Sequence, residues 1–233
     1  MTIGLARQAL AELIGTFALV FAGCGAIMVD STTHALGHVG VAISFGLVIM
    51  VMIYAVGHIS GAHFNPAVTF AFALTRHFPW WRVAVYWPAQ LAGALAAALV
   101  LRGSLWNVAH VGATLPSGSD GQAFLWESVL TFFLMLVIMA VATDTHAVGE
   151  VAAIAIGGTV GLDAMFGGPI TGASMNPARS LGPAIAGGDY TAIWVYIAAP
   201  LLGAAVAAAV YQFLRAEART HVAEQGPTAR DAA

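Results

Sequence analysis

The chain is 233 residues long, 60% hydrophobic and only 8% charged, with a formal net charge of −3. A water-soluble domain is about 45–50% apolar and about 25% charged, so this composition excludes one and implies an all-α protein that crosses a membrane several times. The small negative balance, with every basic residue an arginine, excludes a nucleic-acid partner, and a single cysteine, Cys24, excludes an intramolecular disulfide.

An apolar run over 9–29 opens the chain. Phe21-Ala22-Gly23-Cys24 has the look of a lipoprotein cleavage box. Glu12 lies inside the run, however, only Arg7 precedes it, and apolar residues continue past Cys24, so it reads as a retained first span. Further runs follow at 39–57, 83–101, 123–143, 150–168 and 191–214. Each of the six is long enough for a hydrocarbon core of about 30 Å, which takes about 17–25 residues. All are rich in Gly and Ala, which lets helix backbones approach closely.

Two shorter segments, 65–75 and 176–186, are predicted as half-helices, each spanning about half the core at ~1.5 Å per residue. The first opens on Asn65-Pro66-Ala67 after the approach Gly57 to Phe64, and the second on Asn176-Pro177-Ala178 after Gly167 to Met175. Asn suits an N-cap, and Pro suits the first helical position, where a missing N–H costs nothing. Irregular backbone before a half-helix is tolerated at membrane depth only where it lines a cavity.

The halves repeat. Ala11-Glu12-Leu13-Ile14-Gly15-Thr16-Phe17 echoes Trp126-Glu127-Ser128-Val129-Leu130-Thr131-Phe132. The first repeat is assigned to 1–115 and the second to 116–216, with three spans each and therefore opposite orientation; 217–233 is expected to be a disordered cytoplasmic tail. Arg7, Arg76, Arg82, Arg215, Arg219 and Arg230 flank spans on one side and Arg102 on the other. The positive-inside rule then puts both termini in the cytoplasm and 103–122 outside.

Half-helices meeting N-terminus to N-terminus aim two positive dipole ends at the membrane centre. The carbonyls of Gly61, Ala62 and His63, and of Gly172, Ala173 and Ser174, are expected to line a path, with the Asn65 and Asn176 amides donating into it. Such a file suits small neutral hydroxyl-bearing molecules, repels cations and interrupts a proton wire.

These residues resemble those of an aquaporin, a member of the major intrinsic protein family. Paired Asn-Pro-Ala with Arg179 directly after the second carries the resemblance, which covers residues 6–214. It implies the aquaporin fold, a passive channel and not an enzyme, no cofactor or metal, water and small neutral solutes as partners in a lipid membrane, and a homotetramer in the cell membrane. It also implies a second filter at Phe45, Ala164, Ala173 and Arg179. Water-selective members usually carry His where Ala164 stands, so two Ala walls predict a wider opening. The loop sequences look most like the bacterial nodulin-type, aquaglyceroporin-like subgroup, which passes glycerol, urea, boric acid or arsenous acid as well as water. A strictly water-selective channel and a coupled secondary transporter are the alternatives.

In that family the acids matching Glu12 and Glu127 support the re-entrant loops, and the same role is expected here. Asp163 is expected to be solvated at the outer mouth. His58 and His63 are expected to pack a loop, since a metal would want more ligands. Asp144 and His146 fall in the 143–149 connection, which is expected to be a solvated loop, with a cytoplasmic gate as the alternative. Trp80, Trp81, Trp106, Trp126 and Trp194 lie near segment ends, as interfacial anchors do.

Overall fold

The computed structural model describes residues 3–143 and 151–225, the last ten of these as backbone only. Asp144 and His146 lie outside the described residues. Six helices are long and apolar enough to cross a membrane: α1 (Leu5–Thr33), α2 (Gly37–Ser60), α4 (Trp80–Leu105), α6 (Asp120–Thr143), α7 (Ala152–Thr171) and α9 (Ile193–Gln225). Two short helices sit between them, α3 (Pro66–Leu74) and α8 (Pro177–Gly187). The remaining element, α5 (Ala109–Gly112), is one turn of left-handed backbone.

Several long helices outrun the predicted spans, and at the C-terminal end of α1 polar residues account for it. Ser31, Thr32 and Thr33 donate their hydroxyls back to the Met28 and Val29 carbonyls, which closes the last turn of α1. The backbone of α9 continues as helix to Gln225, past the expected end at 214 and into the segment assigned to the tail; Ala, Glu, Arg and Gln there are good helix formers.

Packing repeats between the halves. The α1–α4 contact is matched by α6–α9, α1–α2 by α6–α7, and α4–α8 by α3–α9, while α2 and α7 pack on each other. Lipid tails are as apolar as side chains, so close backbone contact rather than hydrophobic exclusion holds such helices. A Cβ on Gly93 of α4 would lie 2.2 Å from the Leu13 carbonyl of α1, and one on Gly203 of α9 would lie 2.1 Å from the Ser128 carbonyl of α6. Three spans per half give the two halves opposite directions, the inverted repeat expected from the sequence.

Both half-helices start as predicted. Asn65 and Asn176 have extended backbone, and each side-chain Oδ1 accepts from its helix's first turn: Ala67 N at 2.8 Å, and Ala178 N at 3.0 Å with Arg179 N at 3.3 Å. Pro66 and Pro177 occupy the first helical position.

Candidate functional site

Each Asn amide nitrogen reaches across to the other loop. Asn65 Nδ2 donates to the Met175 carbonyl at 2.7 Å, and Asn176 Nδ2 donates to the Phe64 carbonyl at 2.8 Å. With Oδ1 fixed by the caps, each amide keeps a second N–H, and both Asn residues line a central lumen.

The loops before the two helices twist in the same way. Gly61, Ala62 and Phe64 have φ of 87°, 50° and 49°; Gly172, Ala173 and Met175 have 83°, 42° and 54°. Left-handed backbone costs a non-glycine residue about 1–2 kcal/mol. Buried carboxylates compensate. Glu12 Oε1 accepts from Ser60 Oγ at 2.7 Å and His63 N at 3.0 Å, and Oε2 from Phe64 N at 2.7 Å. Glu127 Oε1 accepts from Thr171 Oγ1 at 2.7 Å and Ser174 N at 2.8 Å, and Oε2 from Met175 N at 2.8 Å. Tyr86 and Tyr196 complete the frame by donating to the Ser60 and Thr171 carbonyls at 2.7 and 2.8 Å. With these bonds made inside the loops, the carbonyls of Gly61, Ala62, His63, Gly172, Ala173 and Ser174 accept no hydrogen bond among the described residues.

His63 and Ser174 also border the lumen. His63 Nδ1 lies 3.1 Å from Thr69 Oγ1, and its ring packs against Phe72, Phe78 and Tyr86. That is a loop-packing position. His58 borders the mouth at the C-terminal end of α2 instead.

Phe45, Ala164, Ala173 and Arg179 come from four elements and line one stretch of the lumen. Arg179 Cζ lies 5.0 Å from the centre of the Phe45 ring, within cation–π range. Its Nη1 donates to the Gly112 carbonyl at 2.8 Å, while Nε and Nη2 have no partner among the described residues. Met165 and Phe166, the bulky neighbours of Ala164, are 38% and 46% exposed, and neither is among the residues that line the lumen. Ala113 and Leu115 border the adjoining mouth with Asp30 and His38.

Asp163 departs from expectation. It is 1% exposed, not solvated, because it lies on the face of α7 that packs inward with Val160, Ala164 and Gly167. Three groups were not anticipated: the Gly112 carbonyl, the paired tyrosines, and Gln90, which donates to both Glu12 Oε2 and Thr69 Oγ1. The tyrosines carried a signal, since they follow the two Asn residues at nearly equal distances. Gly112 carried none, because its role depends on the left-handed turn of α5. That turn is fixed from outside by His110, whose Nδ1 is 3.0 Å from Asp189. Hydrogen bonds from Thr191 hold the Asp189 carboxyl below the usual carboxylate range.

A family model described as "Major intrinsic protein" matches residues 1–211. The chain belongs to the major intrinsic protein family. Aquaporin NIP1-1 of Oryza sativa subsp. japonica is 52% identical over 90% of this chain and 74% of its own length. Nodulin-26 of Glycine max is 49% identical over 92% of this chain and 80% of its own. Among solved structures, the aquaglyceroporin from Plasmodium falciparum superposes with a TM-score of 0.79 at 30% identity, covering 89% of this chain and 96% of that one. As a major intrinsic protein the chain is a membrane channel, not an enzyme, and its relatives include nodulin-type aquaporins.

Proposed function

We propose that this channel conducts water together with small neutral solutes of the size of glycerol, urea, boric acid or arsenous acid, and excludes ions and protons. The observation that carries the reading is the pairing of Ala164 with Ala173 opposite Phe45 and Arg179 around one lumen. Two methyl walls leave width. Phe45 offers an apolar face to carbon, and the unpaired donors of Arg179 offer hydrogen bonds to hydroxyls. The nodulin-type relatives and the aquaglyceroporin neighbour agree with a solute range beyond water. Arg179 supplies the fixed positive charge that repels cations, and the two Asn amides at the centre orient a passing oxygen as an acceptor from both sides.

The flow is passive in this reading. A coupled transporter needs a titratable group exposed to the path. Glu12 and Glu127, both 0% exposed, have their oxygens occupied by loop donors. The arginine distribution supports a cell-membrane protein with both termini in the cytoplasm, the first half-helix reaching in from that side and the Phe45–Arg179 constriction facing out. The two repeats are those assigned above, and membership of the family supports a homotetramer with one lumen per subunit.

Stopped-flow light scattering on proteoliposomes tests the proposal. Water, urea, glycerol and arsenous acid should all enter down their gradients, without dependence on a proton gradient. Water flux with none of the larger solutes would make this a strict water channel, and flux that follows a proton gradient would make it a transporter.

A further inference from the structure

The constriction is closed by a wall that lies outside the four filter positions. The ring of Phe45 rests against α1 at Gly23. An ideal Cβ on Gly23 would stand 2.1 Å from Phe45 Cε1 and 2.5 Å from both Cδ1 and Cζ. The next residue of α1, Cys24, touches Gly112, where an added Cβ would lie 2.7 Å from Cys24 Cβ. The Gly112 carbonyl in turn accepts from Arg179 Nη1 at 2.8 Å, and the Arg179 guanidinium stands 5.0 Å over the Phe45 ring. Four contacts therefore form a closed circuit: Gly23 to Phe45, Phe45 to Arg179, Arg179 to Gly112, and Gly112 back to Cys24.

A circuit of this kind has little slack. A side chain on Gly23 has to displace one of two neighbours. The backbone of α1 is held on its other sides, by Gly112 at Cys24 and by the close crossing of Gly93 at Leu13. Phe45 has open space on the sides away from α1, toward the lumen and toward the adjoining mouth, because it lines both. The ring would move more than an ångström to regain ordinary contact, and it would move away from α1 into the lumen or the mouth that adjoins it, intruding on the solute path in either case.

We propose that Gly23 is a specificity-determining residue, whose missing side chain seats the Phe45 ring and so sets the width of the constriction. This deepens the proposed function and rests on its reading of Phe45 as a filter wall. Substitution at Gly23 narrows the channel without altering any filter residue, and larger solutes lose more than water does.

The test compares Gly23→Ala, Phe45→Ala, the double variant, and Gly25→Ala in proteoliposomes, with water, urea and glycerol as probes and thermal unfolding in detergent as a check on folding. Gly25 also lies on α1, but a Cβ there meets only the flexible tip of Leu101 at 3.2 Å. Gly23→Ala should cut the flux of the largest probe that the unaltered channel passes by about tenfold, as expected of a narrowed selectivity constriction. The double variant should recover that flux, Phe45→Ala alone should raise it, and Gly25→Ala should leave it unchanged. If Phe45→Ala changes no permeability, the filter reading falls and this proposal with it. If Phe45→Ala raises solute flux while a folded Gly23→Ala changes none, this proposal alone is overturned. Should Gly23→Ala fail to fold, recovery of folded, solute-conducting protein in the double variant supports the contact, and no recovery overturns it.

Discussion

Behind the first Asn-Pro-Ala loop, Glu12 accepts from Ser60, His63, Phe64 and Gln90; behind the second, Glu127 accepts from Thr171, Ser174 and Met175. A tyrosine hydroxyl ties each loop to α4 or α9, and each Asn amide holds the opposite loop. Around this shared frame the contents diverge. The first loop carries His63 in a box of aromatic rings. The second carries Ser174, hydrogen-bonded through Ser180 to Thr114, and the guanidinium of Arg179. The frame has one physical task in both halves, satisfying backbone N–H groups where no water can do so, and that task admits few solutions. The side chains facing the lumen are free of it, so the halves can contribute unequally to selectivity: Phe45 comes from the first, and Ala164, Ala173 and the charged Arg179 from the second.

The largest effect should come from breaking the frame. Glu127→Leu leaves the Ser174 and Met175 N–H groups unpaired, at about 1–3 kcal/mol each. For a chain of this size that corresponds to a fall of about 5–20 °C in thermal midpoint, read in detergent. Glu12→Leu should fall further, because Gln90 Nε2 loses one of its two acceptors as well. A smaller drop for Glu12→Leu would mean that the Gln90 bond adds nothing to the support of the first loop.

Arg179→Val removes what only the second half possesses. A unit charge about 5 Å from the path, at an effective dielectric of about 20, contributes about 3 kcal/mol to the barrier against a cation. Cation or proton leak in proteoliposomes should therefore rise about a hundredfold, with neutral-solute flux retained. A leak left at its original level would move the barrier from Arg179 to the paired Asn residues, and the charge barrier would then no longer belong to the second half.

Ala164→His sharpens the same asymmetry at lower cost. The ring would enter the lumen, which Ala164 lines and Met165 and Phe166 do not. Glycerol flux should drop about tenfold relative to water, the scale of one lost contact-sized opening. An unchanged ratio would place the narrowest point elsewhere along the lumen.

Much of this was legible in the sequence because it is local. Asn followed by Pro announces a helix start without reference to anything distant, and spans of about 20 apolar residues announce themselves by length. The echo around Glu12 and Glu127 identified the frame's two anchors, since duplicated acids inside apolar runs need a shared reason. Illegible were the features set by contact between distant segments. Asp163 looks like a mouth residue by its place in the chain, yet the turn of α7 carries it inward to 1% exposure. Gly112 contributes a carbonyl, which every residue has, so only the left-handed path of α5 shows why that one matters.

The smallest effect tests the symmetry of the frame itself. Tyr86 and Tyr196 are both 0–1% exposed, and each hydroxyl makes one short bond, to the Ser60 and Thr171 carbonyls. Those carbonyls close the last turns of α2 and α7, just where the backbone leaves the helix for the lumen. Tyr86→Phe and Tyr196→Phe keep the ring and its packing, so each removes a hydrogen bond and little else. A buried neutral bond is worth about 0.5–1.5 kcal/mol, and the carbonyl left behind adds to the loss. Each variant should lower the thermal midpoint by about 2–5 °C and leave the ratio of glycerol to water flux where it was. Equal losses would mean that the repeat preserves load as well as shape. A change in solute ratio from either variant would instead show that the frame tunes the lumen, and the division between shared support and unequally placed selectivity would fail.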